Sequence, residues 1–113
     1  MKKFTLKFNS KNRNIFLAIK SGAKKLETRA ASEKYQDIQK GDSIIFVCGG
    51  SRFSKEVKKV SKFKSIPSIL KKYKPGDINP GHTTAKQTTD LYHSFPSYKE
   101  KIKKFGLIAL ELK

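Results

Sequence analysis

One short segment of the chain concentrates side chains that could do chemistry together. From Gly22 to Arg29 the sequence reads GAKKLETR, which places Lys24 and Glu27 in the pattern G-x-K-x-x-E-x-R. Alternate side chains of a strand point to the same face, so Glu27 and Arg29 should share one face while Leu26 packs into the core on the other. Such a pair can present an acceptor and a forked donor to a ligand. Lys24 would add a cation facing a pocket.

These three polar residues permit two kinds of function. In a binding cleft, Glu27 would accept a hydrogen bond from the exocyclic amine of a base, and Lys24 would donate to a carbonyl or phosphate. In a small hydrolase, Lys24 would activate water or stabilise an oxyanion, and Glu27 would be the general base or acid. A structural interpretation also stays open, in which Glu27 and Arg29 pair within a strand and Lys24 is one more solvated lysine.

The elements that position this segment follow from the spacing of apolar residues. Alternation predicts a strand over residues 4–8, and helical spacing predicts a following helix that Gly22 ends as a left-handed cap. The reactive segment then lies on a second strand, residues 24–30. A Gly-Asp turn at 41–42 leads into an apolar strand at 43–48.

The rest of the chain alternates in the same way between strand and helix patterns. A Gly-Gly pair closes a hairpin into a long basic strand at 52–62, where Val57 and Val60 are out of phase and predict a β-bulge. The second half predicts a helix at 66–73, a loop at 74–81, and two helices that begin at capping boxes, Thr84 with Gln87 and Ser97 with Glu100. A final strand covers 107–112. The sequence therefore predicts one α+β domain over residues 1–113, a small mixed β-barrel of about five strands with three or four short helices packed outside.

The motif and the order of elements together resemble a known family. Gly22, Lys24, Glu27 and Arg29 match the signature of the ASCH domains of the PUA-like superfamily, and the Gly-Asp turn and the closing strand after Gly106 fall in similar positions. The resemblance covers nearly the whole chain. It implies a small PUA-like β-barrel, a cleft between barrel and helices lined by the motif's polar residues, and RNA or nucleotide-like ligands as the occupants of that cleft.

The resemblance also bears on catalysis. Some bacterial ASCH proteins are amidohydrolases acting on acetylated cytidine, and others have been proposed as ribonucleases. The amidohydrolases are similar to this chain at Lys24 and Arg29, but they carry a candidate nucleophilic threonine at the position of Glu27. This departure counts against that particular activity here, and no residue of the chain is identified as their additional catalytic glutamate.

The net charge of the 113-residue chain supports a polyanionic partner. It is +17, from 26 Lys and Arg against 9 Asp and Glu, which favours attraction to phosphates and opposes self-association. Residues 52–74 and 99–104 supply much of this charge, and the predicted contacts to a nucleic-acid backbone are Arg52, Lys55, Lys58, Lys59, Lys62 and Lys64. Enrichment of lysine by an AT-rich genome is an alternative origin of the charge. A groove continuous with the lysine face would favour the binding function.

The aromatic residues interleaved with these lysines have two possible roles. Phe53, Phe63 and Tyr73 could stack on bases between phosphate contacts. The alternative is that they belong to the core, since a small barrel needs large apolar side chains inside.

The remaining candidates complete the predicted site and limit its chemistry. His82, in a Pro-Gly-His loop, and Tyr92 join the ligand-binding set of Gly22, Lys24, Glu27, Arg29, His82 and Tyr92. His82 and His93 have no Cys or carboxylate at ligand spacing, so we expect no metal, and no nucleotide-binding loop or cofactor motif is present. Cys48 is interpreted as a buried core thiol. With no long apolar segment, we expect a soluble, cytoplasmic monomer without membrane contact.

Overall fold

Five strands pair into one mixed sheet that curls into a half-barrel. This computed structural model describes all 113 residues. The strands are β1 (Lys3–Phe8), β2 (Leu26–Ala30), β3 (Ser43–Cys48), β4 (Ser51–Phe63) and β5 (Leu107–Leu112), in the spatial order β1-β3-β4-β5-β2. β1 runs parallel to β3, and the other neighbours are antiparallel. β1 and β2 are therefore the two edges of the curled sheet, and the half-barrel opens between them.

Helices cover both faces of this sheet. They are α1 (Arg13–Ser21), which follows a 3-10 turn at Ser10–Asn12, and α2 (Ile66–Leu70), α3 (Pro75–Ile78), α4 (Ala85–Ser94) and α5 (Tyr98–Phe105). Phe16 and Ile19 of α1 pack into the inner core of the half-barrel. The four later helices pack their apolar residues against the outer face. Because both faces are covered, β5 is buried at nearly every position, with Ile108 and Leu110 pointing inward and Leu107 outward.

The structure confirms the predicted fold class and several local features. Gly22 ends α1 with a φ of 87°, a left-handed conformation that glycine adopts without a Cβ penalty. The pairing of β4 with β5 shifts register between Val57 and Lys59, which is the predicted bulge. The β3–β4 hairpin turns at the Gly-Gly pair, and Cys48 is buried in the inner core.

Three local predictions in the second half of the chain differ from the structure. α2 ends at Leu70, not at residue 73. The segment predicted as a loop contains α3, because Pro75 fixes the first helical φ and the Asp77 carboxylate accepts a hydrogen bond from the Lys74 amide at 3.0 Å. Ser97 does not form a capping box, since the short connection from α4 to α5 places it in the left-handed region, at φ 61°, without a side-chain cap.

The helices of this fold are all short. The longest, α4, has 10 residues. None has the length and apolar character that a helix crossing a bilayer requires.

Candidate functional site

A cleft of about 350 Å³ occupies the opening of the half-barrel. One wall is the end of β1 at Lys7 and Phe8, and the other is edge strand β2 at Glu27, Thr28 and Arg29. Helices α4 and α5 close the third side. Its volume falls within the range of small-molecule sites in proteins.

Glu27 is the centre of a buried charged cluster that faces this cleft. Its residue surface is only 6% exposed. Oε1 lies 3.8 Å from the Nζ of Lys24 and accepts a hydrogen bond from the Thr28 amide at 3.0 Å. Oε2 accepts from the Nε and Nη2 of Arg29, at 3.4 and 3.3 Å. The carboxylate therefore has a cation on each side, and strand alternation places Glu27 and Arg29 on one face as predicted.

Lys24 is buried as fully as Glu27, although it carries a charge that normally remains in water. Its Nζ donates to the carbonyl oxygen of Leu26. Burial lowers the pKa of the Lys24 ammonium, the Glu27 carboxylate opposes that shift, and the charge of Arg29 adds to it. The backbone turn at Gly22 lets the chain leave α1, and this turn brings Lys24 to the start of β2.

Arg29 bridges the two edges of the half-barrel. Its Nη2 donates to the carbonyl oxygen of Lys7 on β1 at 3.4 Å, and its guanidinium lies 5.0 Å from the ring centre of Phe8 and 6.0 Å from that of Tyr35. Burial is the largest single influence and lowers the pKa of Arg29, but the Glu27 carboxylate and the phenols of Tyr98 and Tyr35 together outweigh it, so the pKa of Arg29 is raised. Its Nη1 has no hydrogen-bond partner within the protein and remains accessible to a ligand.

Three hydroxyl groups complete the polar lining. The hydroxyl of Thr28 shares a hydrogen bond with the phenol of Tyr92, and the phenol of Tyr98 accepts a hydrogen bond from the Ala30 amide at 3.4 Å. Burial raises the pKa of both phenols, so they stay protonated at neutral pH. The cleft thus offers neutral hydroxyls beside its charged cluster.

The residues predicted to bind ligand do not all lie in the cleft. Lys24, Glu27, Arg29 and Tyr92 line it together. Gly22 lies outside it and acts as the cap of α1, and it borders a neighbouring depression instead. His82 also lies outside the lining, because its Nδ1 is hydrogen-bonded to the buried Thr88 hydroxyl at 3.0 Å at the start of α4.

The predicted backbone-contact residues separate into two groups. Lys58 and Lys59 line depressions at the middle of β4, where the bulge lies. The other four, Arg52, Lys55, Lys62 and Lys64, line neither the cleft nor these depressions. The Nζ of Lys62 instead donates to the carbonyl oxygen of Gln36 at 2.9 Å.

The aromatic residues between these lysines are part of the two cores. Phe53 packs against the inner core and stacks on Phe46, with ring centres 5.0 Å apart. Phe63 and Tyr73 pack against the outer core and meet edge to face at 6.1 Å. The core alternative is therefore correct, and these rings are not a stacking platform for bases.

Sequence reasoning did not identify several residues of the cleft. Lys7, Phe8, Thr28, Tyr98 and Lys101 all line it. Thr28 carried a signal, since it lies between two predicted site residues on an edge strand. The others come from elements distant in sequence, and only the tertiary fold brings them to β2.

Metal chemistry has no obvious support in the side-chain arrangement. No group of three or more His, Cys, Asp or Glu side chains is placed to hold a metal ion.

Comparisons with known proteins relate the chain to two solved structures. A crystal structure of the hypothetical protein PH0355 is 29% identical, has a TM-score of 0.84, and aligns over 98% of this chain and 97% of its own. The solution NMR structure of protein PF0455 from Pyrococcus furiosus is 23% identical, has a TM-score of 0.72, and aligns over 98% and 96%. No family model and no curated protein matches the sequence. The chain therefore shares its curled half-barrel fold, over its whole length, with these two proteins.

Proposed function

We propose that this domain binds RNA or a nucleotide-like ligand, with a base in the cleft and phosphates on the lysines around it. The observation that carries the proposal is the buried cluster of Lys24, Glu27 and Arg29 at an open cleft. The Glu27 oxygens retain acceptor capacity for an exocyclic amine, and the free Nη1 of Arg29 is a donor for a carbonyl or phosphate oxygen.

The charge around the cleft supports the same ligand class. Glu27 neutralises only one of its two cationic partners, the buried Lys24 and the half-buried Arg29, and the exposed Lys7 and Lys101 add two more cations at the rim. A site with this excess of positive charge favours a ligand that carries phosphate. The rings of Phe8 and Tyr98 in the lining provide flat apolar surface for a base.

Membership in the PUA-like ASCH domains is part of this proposal. The motif and the order of elements support it, and so does the curled half-barrel shared with the two solved structures. The family resemblance adds RNA or nucleotide ligands to what the site chemistry suggests on its own.

A small hydrolase acting on a modified nucleoside is the second candidate, and one observation favours it. Burial lowers the pKa of Lys24, which makes its neutral amine more available to take a proton from water or a hydroxyl. Glu27 suits that role less well, because both of its oxygens already accept hydrogen bonds. The binding function therefore fits the geometry better than a mechanism with Glu27 as general base.

An NMR titration with nucleosides, nucleoside monophosphates and short RNAs tests the proposal. We expect the largest amide shifts at Glu27, Thr28 and Arg29 on β2, and at Tyr98 on α5. Shifts confined to surface lysines, or no shifts with any nucleotide, would contradict a ligand site in the cleft. Following the same samples over time for a new product identifies hydrolysis if it occurs.

A further inference from the structure

The cleft is the first of three concavities that share walls. Lys24 borders both the cleft and a second depression of about 440 Å³. Lys58 and Glu111 border both this second depression and a third, of about 740 Å³. The three concavities are therefore neighbours, and they follow one another from the opening of the half-barrel, past the start of β2, to the bulge in β4.

Exposed lysines line this path beyond the cleft. We call Lys25, Lys40, Lys58, Lys59 and Lys113 the lysine track. Lys113 pairs with Glu56 at 2.5 Å, but the other four form no salt bridge within the protein. The carboxylate of Glu111 accepts a hydrogen bond from the phenol of Tyr73 at 2.6 Å. Glu111 and Asp77 also border these depressions and keep their negative charges, and Glu56 pairs with Lys113, so the five track lysines exceed the nearby carboxylates by two.

Like charges are also crowded next to the track. Lys72, on the turn after α2, donates to the Ser61 hydroxyl at 3.3 Å, and the amine of Lys59 lies beside it. This contact with Lys59 lowers the pKa of Lys72, with partial desolvation adding to the effect. Two ammonium groups held together are stabilised when an anion arrives between them.

We propose that the lysine track holds the backbone of a single-stranded nucleic acid, one nucleotide of which occupies the cleft. This inference rests on the proposed function and specifies its ligand as a polynucleotide instead of a free nucleotide. Lysines spaced along neighbouring concavities can each contact one of the successive phosphates of a strand. Proteins that bind single strands contact phosphates in this way without recognising the base sequence.

The shape of the path favours a single strand over a duplex. The cleft is bounded by β1, β2 and two helices, so a base must leave any paired stack to enter it. The molecule measures 30 × 27 × 24 Å, so a path over one side of it accommodates about four nucleotides, at the low end of single-strand sites.

Two double variants with equal charge changes test the track. Lys58→Ser with Lys59→Ser removes two track lysines. Arg52→Ser with Lys64→Ser removes two exposed cations of the same strand region that line none of the three concavities. Fluorescence anisotropy then measures the affinity of each protein for RNA oligonucleotides of one to eight nucleotides and for a duplex of matched length, at several salt concentrations.

We expect the affinity of the wild-type protein for single-stranded RNA to rise with oligonucleotide length up to about four nucleotides. It should also exceed the affinity for the duplex. The track variant should bind oligonucleotides about tenfold more weakly, with a salt slope reduced by about 1.4, and should bind the mononucleotide as before. The control variant should lose much less. Three results would each contradict the lysine track: an affinity that does not increase with oligonucleotide length, equal losses of affinity in the two variants, or equal affinities for the duplex and the single strand.

The proposed function is tested separately by the mononucleotide. If the mononucleotide shifts the cleft amides of β2 but longer RNAs bind no tighter, the track is wrong and the cleft function stands. If no nucleotide shifts those amides, the proposal that the cleft binds a nucleotide is wrong. The proposal that the cleft holds one nucleotide of a longer strand is then wrong as well.

Discussion

The structure buries two carboxylates, and it stabilises them in different ways. At the Gly41-Asp42 turn, the carboxylate of Asp42 accepts hydrogen bonds from the backbone amides of Lys2 at 3.0 Å and Gln39 at 2.8 Å. In the cleft, Glu27 accepts from one backbone amide, that of Thr28, and its other partners are the side chains of Lys24 and Arg29. Asp42 borders none of the three concavities, whereas Glu27 faces a cavity of ligand size.

We interpret this difference as one between a structural carboxylate and the carboxylate of the proposed ligand site. Backbone amides fix Asp42 in place and tie the start of β1 to the turn before β3. Two cationic side chains supply the other contacts of Glu27, and these contacts are separate from the hydrogen bonds that join the strands of the sheet. Burial is common to both carboxylates, so the features that make Glu27 the candidate site residue are its cationic side-chain partners and its place at a cavity.

The largest expected effect is that of Glu27→Gln. The change leaves the buried Lys24 and the half-buried Arg29 without their counter-charge, so we expect a loss of about 3 kcal/mol in unfolding free energy. We also expect ligand affinity to fall at least tenfold. Thermal unfolding and an NMR titration on the same protein measure both effects. A lower melting temperature with unchanged affinity would make Glu27 a structural residue like Asp42.

Asp42→Asn should lower the melting temperature by roughly 5 °C and leave ligand affinity unchanged. The Lys2 amide, followed by that of Gln39, lowers the pKa of Asp42 in the folded protein. Its contribution to stability is therefore complete above the unfolded pKa of about 4 and is lost as the pH falls through the lower folded value. The difference in melting temperature between wild type and variant should shrink with acidification. A weaker affinity at neutral pH would remove the distinction between the two carboxylates.

Lys24→Met should have a small effect on stability and a clear effect on binding. The buried ammonium is costly to desolvate, and Glu27 keeps Arg29 as its partner, so we expect a melting temperature within about 3 °C of wild type. Affinity should fall about tenfold. Because the folded pKa of Lys24 is lowered, the cost is complete below that folded pKa, decreases as the pH rises above it, and is gone above the unfolded pKa of about 10.4. Wild type should therefore gain stability relative to the variant at alkaline pH, and a constant difference would contradict the buried ammonium.

Thr28→Val should have the smallest effect. It removes the hydrogen bond to Tyr92 but keeps the shape of the side chain, so we expect a loss of about 0.5 kcal/mol in unfolding free energy. Tyr92→Phe is the matched variant, since it removes the other hydroxyl group of the same hydrogen bond. If the pair is only structural, both variants should retain full ligand affinity, and a shared loss of affinity would add these hydroxyls to the site.

The sequence predicted those features that depend on neighbouring residues. The period of two in β2 placed Glu27 and Arg29 together, and the phase break between Val57 and Val60 indicated the bulge. It could not predict the contacts that close the cleft. Arg29 reaches the carbonyl of Lys7, 22 residues away, and the Ala30 amide meets the phenol of Tyr98, 68 residues away. Such pairs depend on the curl of the sheet and the placement of α5, which no local pattern encodes.

The side chains around β2 have a second consequence, for solubility. On the outer side of an edge strand, the backbone N–H and C=O groups of alternate residues have no partner strand. A strand of another molecule can form hydrogen bonds to these groups. In the antiparallel register with β5, the backbone N–H and C=O groups of residues 26, 28 and 30 point away from β5. Three side chains already bond to some of these groups: Lys24 to the Leu26 carbonyl, Glu27 to the Thr28 amide, and Tyr98 to the Ala30 amide. Variants that lack these side chains should leave the backbone groups of β2 free to pair with a strand of another molecule. We therefore expect such variants to aggregate on heating, which light scattering would detect.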